Sequence, residues 1–136
     1  MKIPLSTRLL ACAGFVNKGD RVADIGCGHG YLSIHLLTNG IARSCIASDV
    51  AEGPLQSAMR NAVKFGVKNK INFYLSDGVR NIPRDFDTMV CAGMGADTII
   101  SILENAVLIG IPVPEALKKA LKQLTEKGKG ENDKGE

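Results

Sequence analysis

The residues best equipped for chemistry lie in one stretch, Asp24-Ile25-Gly26-Cys27-Gly28-His29-Gly30-Tyr31. Glycine recurs at every second position behind an acidic residue. Arg21–Ile25 is a short apolar run that predicts a strand, and Tyr31–Leu37 predicts a helix, so the glycines form the turn between them. Glycine in such a turn admits positive φ and lets a ligand approach the backbone. A dinucleotide fingerprint would need G-x-G-x-x-G, with glycine at position 31. This chain has Tyr31 there and places Gly30 one residue earlier. The D-x-G-x-G-x-G spacing is the one associated with S-adenosylmethionine, which has no pyrophosphate to seat on a helix N-terminus and sets its methionine moiety near the loop. A tight strand–helix turn with incidental glycines is the plainer alternative. The acidic strand end ahead of the glycines favours the ligand.

Three further clusters extend the candidate site. Asp49, followed by Val50, ends a second predicted strand, where a carboxylate can accept hydrogen bonds from both hydroxyls of a ribose. Ser76-Asp77-Gly78 ends a third; Asp77 can accept from an adenine amine, although an Asx-type turn before Gly78 accounts for it nearly as well. Val90-Cys91-Ala92-Gly93-Met94-Gly95 ends a fourth. Asp24, Gly26, Cys27, Gly28, Gly30, Tyr31, Asp49, Val50, Asp77, Gly78, Ala92 and Gly93 form the candidate cofactor-binding set. Gly93, Met94 and Gly95 are candidates for a platform that admits a flat substrate. Asp97 is a weaker candidate, as a base or polar contact, and its plainer reading is a helix cap. His29 reads as a polar loop residue and His35 as an ordinary helix residue. Neither has metal-ligand spacing, so no metal is expected.

The elements that must hold these residues follow from periodicity. Leu5–Val16 has helical spacing with Ser6 as N-cap. Ser44–Ser48, Ile71–Leu75 and Thr88–Ala92 read as strands, and Pro54–Phe65 and Ala96–Ala106 as helices. The order α-β-α-β-α-β-β-α, with short apolar strands, predicts a three-layer α/β/α domain around a mostly parallel sheet. Ligands in such sheets bind beyond the carboxyl ends of the strands, where all three acidic residues fall. Composition shifts after Ala106. Val107–Val113 reads as a candidate edge strand weakened by Gly110 and Pro112, and Pro114–Glu126 as an amphipathic helix. Residues 128–136 are charged and glycine-rich, so a disordered tail is expected.

Bulk properties bound the rest. With 136 residues, 45% of them hydrophobic, the chain is one small domain able to bury a core. Without Trp, and with four Phe and two Tyr, that core must be aliphatic. A net charge of +3 permits nucleic-acid contact without arguing for it. Arg60, Lys64, Lys68 and Lys70 form a small basic patch. Cys12, Cys27, Cys45 and Cys91 lack redox or metal spacing and read as reduced thiols of a cytoplasmic protein. No apolar run approaches the roughly 18 residues of a membrane span, and the N-terminus lacks a signal-peptide pattern. The sheet edge of so short a domain makes homodimerisation a further expectation.

The sequence also resembles a known family, the bacterial tRNA (adenine(22)-N(1))-methyltransferases. The likeness rests on Leu5-Ser6-Thr7-Arg8-Leu9, Ala23-Asp24-Ile25-Gly26, His29, Tyr31-Leu32, Ala47-Ser48-Asp49-Val50, Gly53-Pro54-Leu55, Asp77-Gly78 and Ala92-Gly93-Met94-Gly95, and spans residues 1–106. Gly53-Pro54-Leu55 together with Ala92-Gly93-Met94-Gly95 is more specific than the glycine turn. The resemblance implies a Rossmann-like S-adenosylmethionine methyltransferase fold, that methyl donor, and methylation of adenine N1 in tRNA. It also implies a role for Asp24 in orienting the loop and the donor's amino end. Family members continue with further strands and a C-terminal helical extension, which residues 107–136 do not resemble. The sheet is therefore expected in truncated form, with four or five strands, and the binding of donor without turnover, or action on another RNA or a small molecule, is the alternative function.

Overall fold

The computed structural model of the chain describes residues 2–120 and 122–123. Its elements run α1 (Thr7–Ala13), β1 (Asp20–Ile25), α2 (Tyr31–Thr38), β2 (Ala42–Asp49), α3 (Glu52–Lys64), a single 3-10 turn (Lys68–Lys70), β3 (Ile71–Leu75), β4 (Thr88–Val90) and α4 (Ala96–Leu108). The four strands form one parallel sheet in the order β3-β2-β1-β4. This is a Rossmann-like α/β fold with a four-stranded sheet. The described residues divide after Met94 into two compact units.

The core lies around the two inner strands. Val22–Ile25 of β1 and Cys45–Ser48 of β2 are buried without interruption. Successive strand residues point to opposite faces, so both faces of each strand are covered. Leu32, Ile34, Leu36 and Leu37 of α2 pack into the same aliphatic cluster with Ala13, Val16 and Ala62. The outer strands are shorter and less buried, as edge strands must be if they are not to template further pairing.

Helix ends follow their local chemistry. The Ser6 hydroxyl accepts a hydrogen bond from the Leu9 amide at 3.2 Å, the expected cap of α1. Glu52, Gly53 and Pro54 occupy the first turn of α3, where a missing proline amide costs nothing.

The expected fifth strand does not form. Val107 and Leu108 belong to α4, whose helical repeat buries Ile102 and Ala106 and runs on past the anticipated end. Gly110, at φ +84°, closes that helix. Its own amide bonds to the Val107 carbonyl at 3.1 Å, and the Ile111 amide reaches back to the Ala106 carbonyl at 2.9 Å. The glycine that weakened the strand reading is a helix stop. The helix expected after Pro114 is present over 115–120 and at 122–123, and the Lys118 ammonium meets the Glu115 carboxylate at 3.2 Å. Its expected continuation to Glu126, and the tail at 128–136, lie outside the described residues.

Candidate functional site

The topology creates a crevice at one place. The chain runs outward from β1 through β2 to β3, then returns to the opposite side of β1 as β4. The strand order therefore reverses between β1 and β4, and ligand crevices of open α/β sheets form beyond the strand tips at such a reversal. A cavity of about 250 Å³ opens there. It is bounded by Asp24, Gly26, Cys27 and Gly28 from the end of β1, by Tyr31 and Leu32 from α2, and by Ala92 and Gly93 after β4. Arg8 and Leu9 of α1 and the loop residue His29 complete its wall.

Asp24 sits at the bottom, 3% exposed. Its Oδ2 accepts a hydrogen bond from the Ser33 hydroxyl at 2.8 Å, and Ser33 is itself fully buried on α2. Burial disfavours the charged carboxylate and pushes its pKa up to about 6; the Ser33 bonds pull against that rise, and the charge of Asp49 adds to it. The same burial and the same two carboxylates drive the Cys27 thiol far above its ordinary range, so it is no nucleophile. Cys45 is raised to about 12 and Cys91 to about 11, both chiefly by burial, and all four cysteines are free.

The glycine turn is held from two sides. Gly26 has φ +69°, and a β-carbon there would collide with the methyl group of Met94. Only glycine meets both conditions, the left-handed backbone and the close approach. From the other side the turn is tied to β2 and α3. The Cys27 amide bonds to the Ser48 carbonyl at 2.8 Å. The Gly28 amide donates to Asp49 Oδ2 at 3.0 Å. His29 joins its Nδ1 to the Ser57 hydroxyl at 2.9 Å, and its carbonyl accepts from Asn61 at 2.9 Å. His29 is thus a wall of the cavity and an anchor of the loop, beyond the polar loop residue expected. Gly30 is the N-cap of α2. His35 bonds to Asn39 on the helix surface, the ordinary role foreseen.

The carboxylates converge in part. Asp49 holds the turn through Gly28, while its Oδ1 accepts from the Ala51 amide at 3.0 Å. Val50 beside it is 69% exposed, an apolar side chain left open at the strand tip. Asp77 is not drawn in: its side chain is 76% exposed and its nearest partner is Arg80 at 3.9 Å. The Ser76 hydroxyl donates to the Gly78 carbonyl at 2.8 Å and accepts from the Asn81 amide, so this segment is a side-chain-stabilised turn. The Ser76 amide still bonds to the Asp49 carbonyl at 3.0 Å, which sets the tip of β3 beside that of β2.

The platform residues also separate. Ala92 and Gly93 line the cavity. Met94 folds its side chain over Gly26. Gly95 is the N-cap of α4 and belongs with Asp97 to the second compact unit. Asp97 is not the cap; it lies exposed in the first turn, where a negative charge complements the helix dipole. Arg8 and Leu9 of α1 and Leu32 of α2 were not picked out as site residues; the spacing within α1 carries no sign that it packs beside the glycine turn. Among the described residues no group of His, Cys, Asp or Glu is arranged to hold a metal ion, and no helix is long and apolar enough to cross a membrane.

Residues 5–124 match the family model described as a methyltransferase domain. The chain belongs to this methyltransferase family. The tRNA (adenine(22)-N(1))-methyltransferase of Bacillus subtilis is 36% identical over 104 residues, covering 76% of this chain and 44% of that protein. The crystal structure of the B. subtilis M1A22 tRNA methyltransferase TrmK superposes with a TM-score of 0.74 at 35% identity, over 77% of this chain and 45% of that one. M. capricolum TrmK, solved in complex with S-adenosyl-homocysteine, superposes with a TM-score of 0.69 at 36% identity, over 74% and 46%. The chain of this methyltransferase thus spans under half the length of these relatives.

Proposed function

We propose that this methyltransferase chain binds S-adenosylmethionine in the crevice between β1 and β4 and methylates N1 of an adenine in tRNA, at position 22. The observation that carries the reading is the glycine turn opening on a cavity at the reversal of strand order, with Asp24 beneath it and Asp49 at the next strand tip. The residues fit such a donor: no heavy atom lies within 4 Å of where a β-carbon on Gly28 would stand, so the backbone is open to close approach.

When bound, the donor supplies a methyl group carried on a positively charged sulfur. Asp24, Gly26, Cys27, Gly28, Gly30 and Tyr31 surround the amino-acid half of that ligand, and Asp49 and Val50 receive its ribose; Asp77, which faces solvent, is given no contact with it. Ala92 and Gly93 face the acceptor. Adenine N1 carries an in-plane lone pair and no proton, so no general base is assigned. The protein's contribution is alignment within a crevice from which Leu9, Tyr31 and Leu32 exclude water. A paired adenine must leave its stack to present N1. Exposed Arg60, Lys64, Lys68 and Lys70 supply phosphate contacts that weaken with salt. A cytoplasmic site for the reaction goes with a tRNA acceptor in this reading.

The test is transfer of labelled methyl from S-adenosylmethionine to unmodified bacterial tRNA, with the product base mapped and a longer relative run as control. Label at a single adenine N1 supports the proposal. A second reading is donor binding without turnover. Tight binding of S-adenosylhomocysteine with no label in any tRNA would establish it.

A further inference from the structure

Helix α3 packs directly against the second half of the glycine turn. Gly30 has φ +79°, and a β-carbon on it would stand 3.0 Å from the Ala58 β-carbon and 3.3 Å from the Ala58 α-carbon. Ala58 is fully buried within α3. Ser57 and Asn61, at i and i+4 on the same side of that helix, take the residue before Gly30. The Ser57 hydroxyl meets Nδ1 of the His29 ring at 2.9 Å, and Nδ2 of Asn61 donates to the His29 carbonyl at 2.9 Å. His29 belongs to the cavity wall, and Asn61 stands outside it. Asn is a weak helix former, so its place inside α3 calls for a tertiary reason, and this bond is one.

The peptide between His29 and Gly30 is a rigid plane, but it can turn over as a unit through ψ of His29 and φ of Gly30. Glycine takes either sign of φ, so Gly30 itself does not oppose the other orientation. The Gly30 carbonyl, which accepts from the Ile34 amide and starts α2, would stay where it is. Two bonds would break: that of the Gly30 amide to the Cys27 carbonyl at 2.9 Å, and that of Asn61 to the His29 carbonyl. We propose that Asn61 is a positioning residue for the methyl donor: from α3 it locks the His29–Gly30 peptide in the one orientation that the donor meets, a role that rests on the donor reading above. A turn that is already locked loses no affinity to being ordered. A turn divided between two orientations binds more weakly by the fraction that is competent. The backbone that faces the ligand is thus set by a side chain that does not touch it.

The test compares the full chain with Asn61→Leu, which keeps the size and loses the donor, and with Asn61→Gln, which keeps a donor on a longer arm. Nitrogen-15 spectra without ligand read the Gly30 amide, and calorimetry reads the affinity for S-adenosylhomocysteine. In Asn61→Leu the Gly30 amide signal is expected to shift and broaden, and to sharpen again at saturating S-adenosylhomocysteine, whose affinity falls about threefold to tenfold. Asn61→Gln recovers part of both effects. Thermal unfolding confirms that the variants are folded, and Asn61→Ala, which favours the helix, replaces Asn61→Leu if that variant is not. A Gly30 amide unmoved in the donorless variant overturns the proposal. So does a loss of affinity that is equal in Asn61→Leu and Asn61→Gln and follows their unfolding temperatures. If the wild-type chain does not bind S-adenosylhomocysteine, the donor reading falls, and the ligand-free Gly30 signal still decides whether Asn61 locks the turn.

Discussion

The methyl group of Met94 fills the space that a β-carbon on Gly26 would occupy. This contact joins the tips of β1 and β4, the two strands whose reversal of order makes the crevice.

Substitution at Gly26 therefore carries two separable penalties. Gly26→Ala must hold a β-carbon at φ +69° and must also displace Met94. The left-handed backbone alone costs a residue with a β-carbon about 1–2 kcal/mol. Met94 meets the new atom with the far end of a flexible side chain, so Met94→Ala in the same chain should remove the steric part and leave the backbone part. Urea denaturation of the two single variants and the double variant measures the coupling. Additive effects would show that the two residues do not compete for one space.

Asp24 makes stability depend on pH in an unusual direction for a carboxylate. Its folded-state pKa is raised from 3.8 to about 6, so the folded state holds its proton more tightly than the unfolded chain. Unfolding free energy from this group should fall as pH rises from about 4 to about 6, by up to about 3 kcal/mol, and then level off. Asp24→Asn should flatten that slope. Thermal unfolding across this range reads both, and an unchanged slope in the variant would assign the dependence elsewhere.

Ser33 moderates that effect. Its hydroxyl bonds to Asp24 Oδ2 at 2.8 Å and lowers the carboxyl pKa against desolvation. Ser33→Ala should raise the Asp24 pKa further and destabilise the fold near neutral pH by about 1–3 kcal/mol, as expected when a buried charged acceptor loses a donor. A carbon-13 titration of the Asp24 carboxyl reports the shift directly, and a pKa at or below that of the parent would contradict the assignment.

Asp49 should matter to ligand more than to fold. It sits at a strand tip, partly exposed, and its bond to the Gly28 amide fixes the turn. Asp49→Ala is expected to weaken S-adenosylhomocysteine and 5′-methylthioadenosine together, each about tenfold, because both retain the ribose. Retained affinity for both probes in a folded variant would remove Asp49 from the ribose site.

Much was legible in the sequence because the signals are local. Strand, glycine turn and helix at Val22–Leu37, the Ser6 cap and the order of eight elements follow from residue spacing and from what glycine and proline permit. Gly110 misled for a related reason: a glycine after apolar residues suits a weak strand or a helix stop, and only the reach of α4 separates the two. The crevice itself required tertiary structure. The strand order β3-β2-β1-β4 brings Ala92 and Gly93 beside Asp24 and sets Arg8 over them, across intervals that carry no periodic trace. It also left Asp77 facing solvent and turned Met94 onto Gly26, since a side chain's direction at a strand tip is decided by its neighbours in space rather than in sequence.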